Sequence, residues 1–126
     1  MTPPRHLFVY GTLMTGHCRW PVLEPFVEGG ETGAVRSEVT GRLYDTGRDY
    51  PAARFDQPGL IHGQVFALRS ARADEALGVI DRVEGGVEGA YHRIEVRTSE
   101  GLSVWAYQFG GSTEGLVDLN GRWTGV

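Results

Sequence analysis

The chain has 126 residues, of which 40% are hydrophobic and 22% charged, and its formal net charge is −4. This length fits one domain, and we expect a single domain over residues 1–126. The acidic balance argues against nucleic-acid binding, and no apolar run reaches the roughly 18 residues of a membrane span. The first residues also lack the apolar segment of a signal peptide, so the cytoplasm is the default location.

Residue counts exclude several kinds of chemistry. All 12 basic residues are arginines, which removes a Schiff-base lysine and the lysine of a phosphate-binding loop. The single cysteine, Cys18, excludes an internal disulfide and a thiolate metal cluster. The four histidines are scattered without a metal-ligand spacing. We therefore expect no metal site.

Hydrophobic periodicity predicts about six or seven strands and one main helix. Apolar or alternating runs predict strands at 6–10, at 33–45 with a break at Gly41, and at 51–55, 61–68, 91–98 and 102–109. Helical spacing of apolar residues from Ser70 to Val83 predicts the main helix, with Gly85 and Gly86 ending it. A further turn of helix is expected within 20–26.

The order of these elements indicates an α+β fold. Strands do not alternate regularly with helices, which argues against a doubly wound parallel sheet. Glycines inside two predicted strands, Gly41 and Gly63, would let a sheet bend. We expect a small mixed, mostly antiparallel β-barrel with the main helix packed on it.

Glu84 is the first candidate functional residue, because it stands at the end of the main helix, where a carboxylate is unfavourable. The negative end of the helix dipole, together with burial in an apolar barrel mouth, would raise its pKa toward neutrality. Such a carboxyl group serves well as a general base. The alternative is a solvated glutamate at a frayed helix end.

The second candidate is the turn that follows the first strand. Val9 and Tyr10 lead into Gly11, Thr12 and Leu13, where the chain must turn sharply. Successive main-chain N–H groups in such a turn form a concavity that suits a carboxylate or a developing oxyanion. The alternative is a tight turn that only leaves the sheet.

A set of ordered motifs resembles the γ-glutamylcyclotransferase-like family, which includes the γ-glutamylamine cyclotransferases. The motifs run in family order from about Leu7 to Phe109. They are Tyr10-Gly11-Thr12-Leu13, Gly41-Arg42-Leu43-Tyr44-Asp45 with Tyr50-Pro51-Ala52, Gly63-Gln64-Val65-Phe66, Ile80-Asp81-Arg82-Val83-Glu84-Gly85, Tyr91-His92-Arg93 and Ala106-Tyr107.

The resemblance implies a lyase or acyltransferase that cyclises a γ-glutamyl amine or peptide to 5-oxoproline and releases a free amine. It implies Glu84 as the general acid and base, substrate contacts from Tyr10 to Leu13, and no metal or other cofactor. Tyr91 is expected to form a pocket wall or a hydroxyl contact, Asp81 to be structural, and Arg93 to be a solvated strand residue rather than a carboxylate partner.

The same resemblance leaves other activities open. One is a non-catalytic module that binds a small carboxylate in the same pocket. Another is removal of a γ-glutamyl protecting group within a biosynthetic pathway. The expected partner is in each case a small molecule rather than a nucleic acid or a membrane, and the sequence does not define the oligomeric state.

Overall fold

The computed structural model describes residues 3–85 and 91–125, which form eight strands, two α-helices and three short 3-10 turns. The strands are β1 (His6–Val9), β2 (Val35–Thr40), β3 (Arg42–Asp45), β4 (Pro51–Arg54), β5 (Leu60–Ala67), β6 (Tyr91–Arg97), β7 (Ser103–Phe109) and β8 (Val117–Asp118). The helices are α1 (Trp20–Leu23) and α2 (Ala73–Gly85), and the 3-10 turns are Glu24–Phe26, Gly30–Gly33 and Ser70–Arg72. Neither helix is long and apolar enough to cross a membrane.

Five strands form the larger sheet in the order β2-β5-β1-β7-β6. Strand β1 lies at its centre, antiparallel to β5 and parallel to β7, where Leu7 pairs with Trp105. The two edges of the sheet approach each other, because Val39 of β2 forms a bridge with Thr98, the residue after β6. The sheet therefore curves like a barrel without closing along its whole length.

A second sheet of three antiparallel strands, in the order β4-β3-β8, covers one side of the larger sheet. Its short strand β8 comes from the C-terminal tail, and the amide of Leu119 donates to the carbonyl of Leu43 at 2.9 Å. Trp123 packs against the same hydrophobic cluster. The tail is thus part of the folded structure.

Helix α2 covers the opposite side of the larger sheet. Ala76 and Ile80, one turn apart on its apolar face, are both fully buried. They pack in one cluster with Leu7 and Val9 of β1. Burial of this face fixes the helix across the sheet, so that its C-terminal end lies beside the end of β1.

The predicted α+β class with one main helix is confirmed. Some details differ. The main helix begins at Ala73 rather than Ser70, because residues 70–72 form a 3-10 turn, and it ends at Gly85, as the glycine pair predicted. The barrel is an open curved sheet with a second small sheet, and β8 was not expected, since two exposed residues carry no strand pattern.

Candidate functional site

A cavity opens where β1 ends, between the turn that follows this strand and the C-terminal end of α2. Its empty space, measured out to the mouth, is about 380 Å³. The structure brings all six residues singled out from the sequence into its lining, from three separate parts of the chain. They are Tyr10, Gly11, Thr12, Leu13, Glu84 and Tyr91.

The turn after β1 presents main-chain donors. Within the described parts of the chain, the amides of Gly11, Thr12 and Leu13 donate no hydrogen bond to a protein acceptor. The turn is held through its carbonyl groups instead, because the amide of Met14 donates to Gly11 at 3.1 Å and that of Arg19 to Thr12 at 2.8 Å. Three successive N–H groups of the cavity lining therefore have no acceptor among the described residues, which makes them candidate donors to a ligand.

Gly11 is required by a close approach rather than by an unusual backbone angle. A Cβ atom at this position would lie 2.8 Å from Cγ and Cδ of the Pro51 ring. Pro51 belongs to β4 and lines the same cavity. Any side chain at Gly11 would thus push the turn away from the wall formed by β4.

Glu84 is the penultimate residue of α2 and is half-buried at the cavity. Burial removes water from its carboxylate and raises its pKa from 4.5 to about 7, against the opposing influence of the positive charge on Arg19. The sequence argument invoked the helix end as well as burial, and burial is the larger influence. A carboxyl group with this pKa both accepts and releases a proton near neutral pH.

Four tyrosines line the cavity, and three of them, Tyr10, Tyr91 and Tyr107, give their hydroxyl proton to another protein group. Tyr10 donates to the carbonyl oxygen of Tyr107 at 2.6 Å, and Tyr91 donates to that of Pro51. Tyr107 donates to the carboxylate of Asp81. Burial is the main influence that raises the pKa of all three phenols, so they stay protonated.

Asp81 ties α2 to the sheet one turn before Glu84. The Nε and Nη2 atoms of Arg93 donate to its two carboxylate oxygens at 3.0 and 3.2 Å. The Arg93 guanidinium also lies 4.3 Å from the centre of the Trp105 ring. The interpretation of Arg93 as a solvated strand residue is therefore wrong, because the helix brings a carboxylate within reach of it.

Besides Phe8 and Val9 of β1, the sequence argument did not give a site role to four lining residues: Arg19, Tyr50, Pro51 and Tyr107. Tyr50, Pro51 and Tyr107 lay within the motifs quoted above and could have been included. Arg19 carried no signal, because an arginine in a loop is usually solvated. Only the folded path of residues 14–19, which returns the chain to Thr12, places it at the cavity.

The model of one protein family, described as gamma-glutamyl cyclotransferase, AIG2-like, matches residues 7–125 of this chain. The match spans nearly the whole sequence, and the chain belongs to this family. A comparison with curated proteins gives no match.

Several solved structures have a similar fold. An uncharacterized protein from Pyrococcus horikoshii is 22% identical, with a TM-score of 0.68, over 93% of this chain and 87% of that one. The protein ytfP from Escherichia coli is 26% identical, with a TM-score of 0.55, over 94% of both chains. An AIG2-like protein from Mus musculus is 15% identical, with a TM-score of 0.57, over 90% of this chain and 82% of that one.

Proposed function

We propose that this protein is a γ-glutamylcyclotransferase-type enzyme, in which Glu84 is the general acid and base. The observation that carries the proposal is the position of Glu84, which has a pKa of about 7 in the same cavity as the free amides of residues 11–13. A proton carrier and a set of oxyanion donors are the two groups that an intramolecular aminolysis requires.

The substrate carries its own nucleophile, since the α-amine of a γ-glutamyl compound attacks the γ-carbonyl carbon of the same molecule. The enzyme must hold this chain folded, and such orientation contributes up to roughly 7–11 kcal/mol to lowering a barrier. The aromatic walls of the cavity, which include Tyr50 and Tyr91, suit this task. The amine to be released would extend through the mouth.

The proton balance explains why one carboxyl group suffices. The α-nitrogen begins as an ammonium and ends as the ring N–H of 5-oxoproline, so it loses two protons. The leaving nitrogen begins as an amide N–H and ends as an ammonium, so it gains two protons. Glu84 would accept each proton from the first nitrogen and pass it to the second, and no net proton is consumed.

The transition state develops negative charge on the γ-carbonyl oxygen as the carbon–nitrogen bond forms. The free amides of Gly11, Thr12 and Leu13 would stabilise this oxyanion before the carbon–nitrogen bond to the leaving amine breaks. The three phenols cannot contribute, since their hydroxyl protons are already donated within the protein. Tyr91 would thus serve as a wall.

The test is a panel of γ-glutamyl amines and γ-glutamyl dipeptides, with 5-oxoproline measured as the product. We expect turnover of at least one class and a loss of at least 10²-fold in kcat for Glu84→Gln, the range that general acid–base catalysis contributes. Glu31→Gln is the matched control, because it makes the same chemical change at an exposed position. It should keep the parental rate.

The alternatives give different results on the same panel. Saturable binding of 5-oxoproline without turnover of any compound would favour a carboxylate-binding module. Turnover restricted to one elaborate γ-glutamyl amine would favour removal of a protecting group. A Glu84→Gln variant as active as the parent would refute the role given to this residue.

A further inference from the structure

Arg19 brings a positive charge to the cavity without an acidic partner. Its Nη1 atom donates to the hydroxyl oxygen of Thr12 at 3.2 Å, and no carboxylate within the described residues lies within the 4.0 Å of an ion pair. The Nε and Nη2 atoms have no acceptor there either. Arg19 is half-buried and lines the cavity together with Glu84, whose pKa its charge lowers.

The position of Arg19 is fixed relative to the free amides. Its own amide donates to the carbonyl of Thr12 at 2.8 Å, while its side chain bonds the hydroxyl of the same residue. The two contacts join the guanidinium to the turn of residues 11–13 as one unit. The Nε–Nη2 edge is the side of a guanidinium that binds a carboxylate through two parallel hydrogen bonds.

The cavity thus offers two kinds of donor for the two oxygen-bearing groups of a γ-glutamyl compound. The α-carboxylate carries a full charge throughout the reaction, and a permanent charge is best matched by a cation. The γ-carbonyl oxygen becomes negative only in the transition state, where preorganised main-chain dipoles are effective. The phenols of Tyr10, Tyr91 and Tyr107 compete for neither group, because each already donates its proton within the protein.

We propose that Arg19 binds the α-carboxylate of the γ-glutamyl substrate and so restricts the enzyme to compounds in which this carboxylate is free. The inference rests on the proposed function and goes further, since it assigns the carboxylate to Arg19 and reserves the amides of residues 11–13 for the γ-carbonyl oxygen. Compounds whose α-carboxylate is esterified, amidated or absent are then poor ligands.

The experiment compares two ligands that differ only in the carboxylate, 5-oxoproline and 2-pyrrolidinone. Their dissociation constants are measured by NMR titration, which reaches the millimolar range, for the parent, Arg19→Met, Arg19→Lys and the control Arg69→Met. Arg69 is exposed and lies outside the cavity lining. The readout is the preference for 5-oxoproline over 2-pyrrolidinone.

We expect Arg19→Met to reduce this preference at least tenfold, as the loss of a charge-assisted contact does. Arg19→Lys should reduce it less, because it keeps the charge without the bidentate edge. Arg69→Met should leave it unchanged. If Arg19→Met fails to fold, Arg19→Gln makes the same test with a neutral side chain that still reaches Thr12.

Two outcomes overturn the inference and are distinguishable from each other. If neutral variants of Arg19 keep the parental preference for 5-oxoproline, Arg19 does not bind the carboxylate, although the enzymatic proposal stands. If the parent binds no 5-oxoproline and turns over no γ-glutamyl compound, the proposed function fails, and the role of Arg19 fails with it.

Discussion

Burial of Glu84 has a measurable cost in stability that depends on pH. The pKa of this carboxyl group is raised from 4.5 to about 7 in the folded protein. The unfolded chain therefore releases the proton at a lower pH than the folded protein does. Between these two values folding takes up a proton, so this group's contribution to the free energy of unfolding falls as the pH rises.

The size of the effect follows from the same two values. Each pH unit of displacement corresponds to about 1.36 kcal/mol, so the full penalty is about 3 kcal/mol. The penalty is absent below pH 4.5, grows through the interval and is complete above pH 7. Glu84→Gln removes the titration and keeps the size of the side chain, so the variant should gain stability relative to the parent as the pH rises.

The assay is urea-induced unfolding of both proteins at several values between pH 5 and 8. We expect the stability difference, variant minus parent, to increase by about 2–3 kcal/mol across this range. The Glu31→Gln control reports the general effect of removing one negative charge. A difference for Glu84→Gln that stays constant with pH, or that follows the control, would refute the argument that this carboxyl group is desolvated.

Two further predictions concern packing around the site. A Cβ atom on Gly63 would collide with the carbonyl oxygen of Val9, so Gly63→Ala should destabilise the protein by about 1–3 kcal/mol. Gly78 lies on an open face of α2, so Gly78→Ala should stabilise the protein by about 0.5–1 kcal/mol. Urea unfolding measures both, and equal effects of the two substitutions would contradict the close approach. Asp81→Asn weakens the contact with Arg93 and should lower the free energy of unfolding by about 1 kcal/mol. An unchanged midpoint of urea unfolding would contradict this prediction.

Secondary structure was largely predictable because most strands of this chain carry local signals. In β5 and in the hairpin of β6 and β7, apolar and polar residues alternate or the apolar run stops at a glycine. The observed bounds of these strands lie within one residue of the predicted ones. Strand β8 lacked such a signal. Val117 is exposed, and the strand exists only because β3 offers a free edge to the tail.

The candidate functional site also contains residues that local sequence patterns predict and residues that only tertiary packing brings into place. Glu84 and the turn at Gly11 broke local rules of helix ends and strand exits, which sequence reasoning detects. The positions of Arg19 and of the Arg93–Asp81 pair depend on which elements pack together, and no local pattern encodes that. Even for Glu84, the size of the pKa change came from burial, which only the tertiary structure defines.

The position of β1 at the centre of the sheet has a consequence for the order of folding. This strand precedes the other seven strands along the described chain, yet it pairs with β5 on one side and with β7 on the other, where Leu7 meets Trp105. Closing such distant pairs is slow compared with local folding. A chain that ends before β7 would lack Tyr107 from the cavity lining, so the cavity is assembled only after this distant strand has paired with β1.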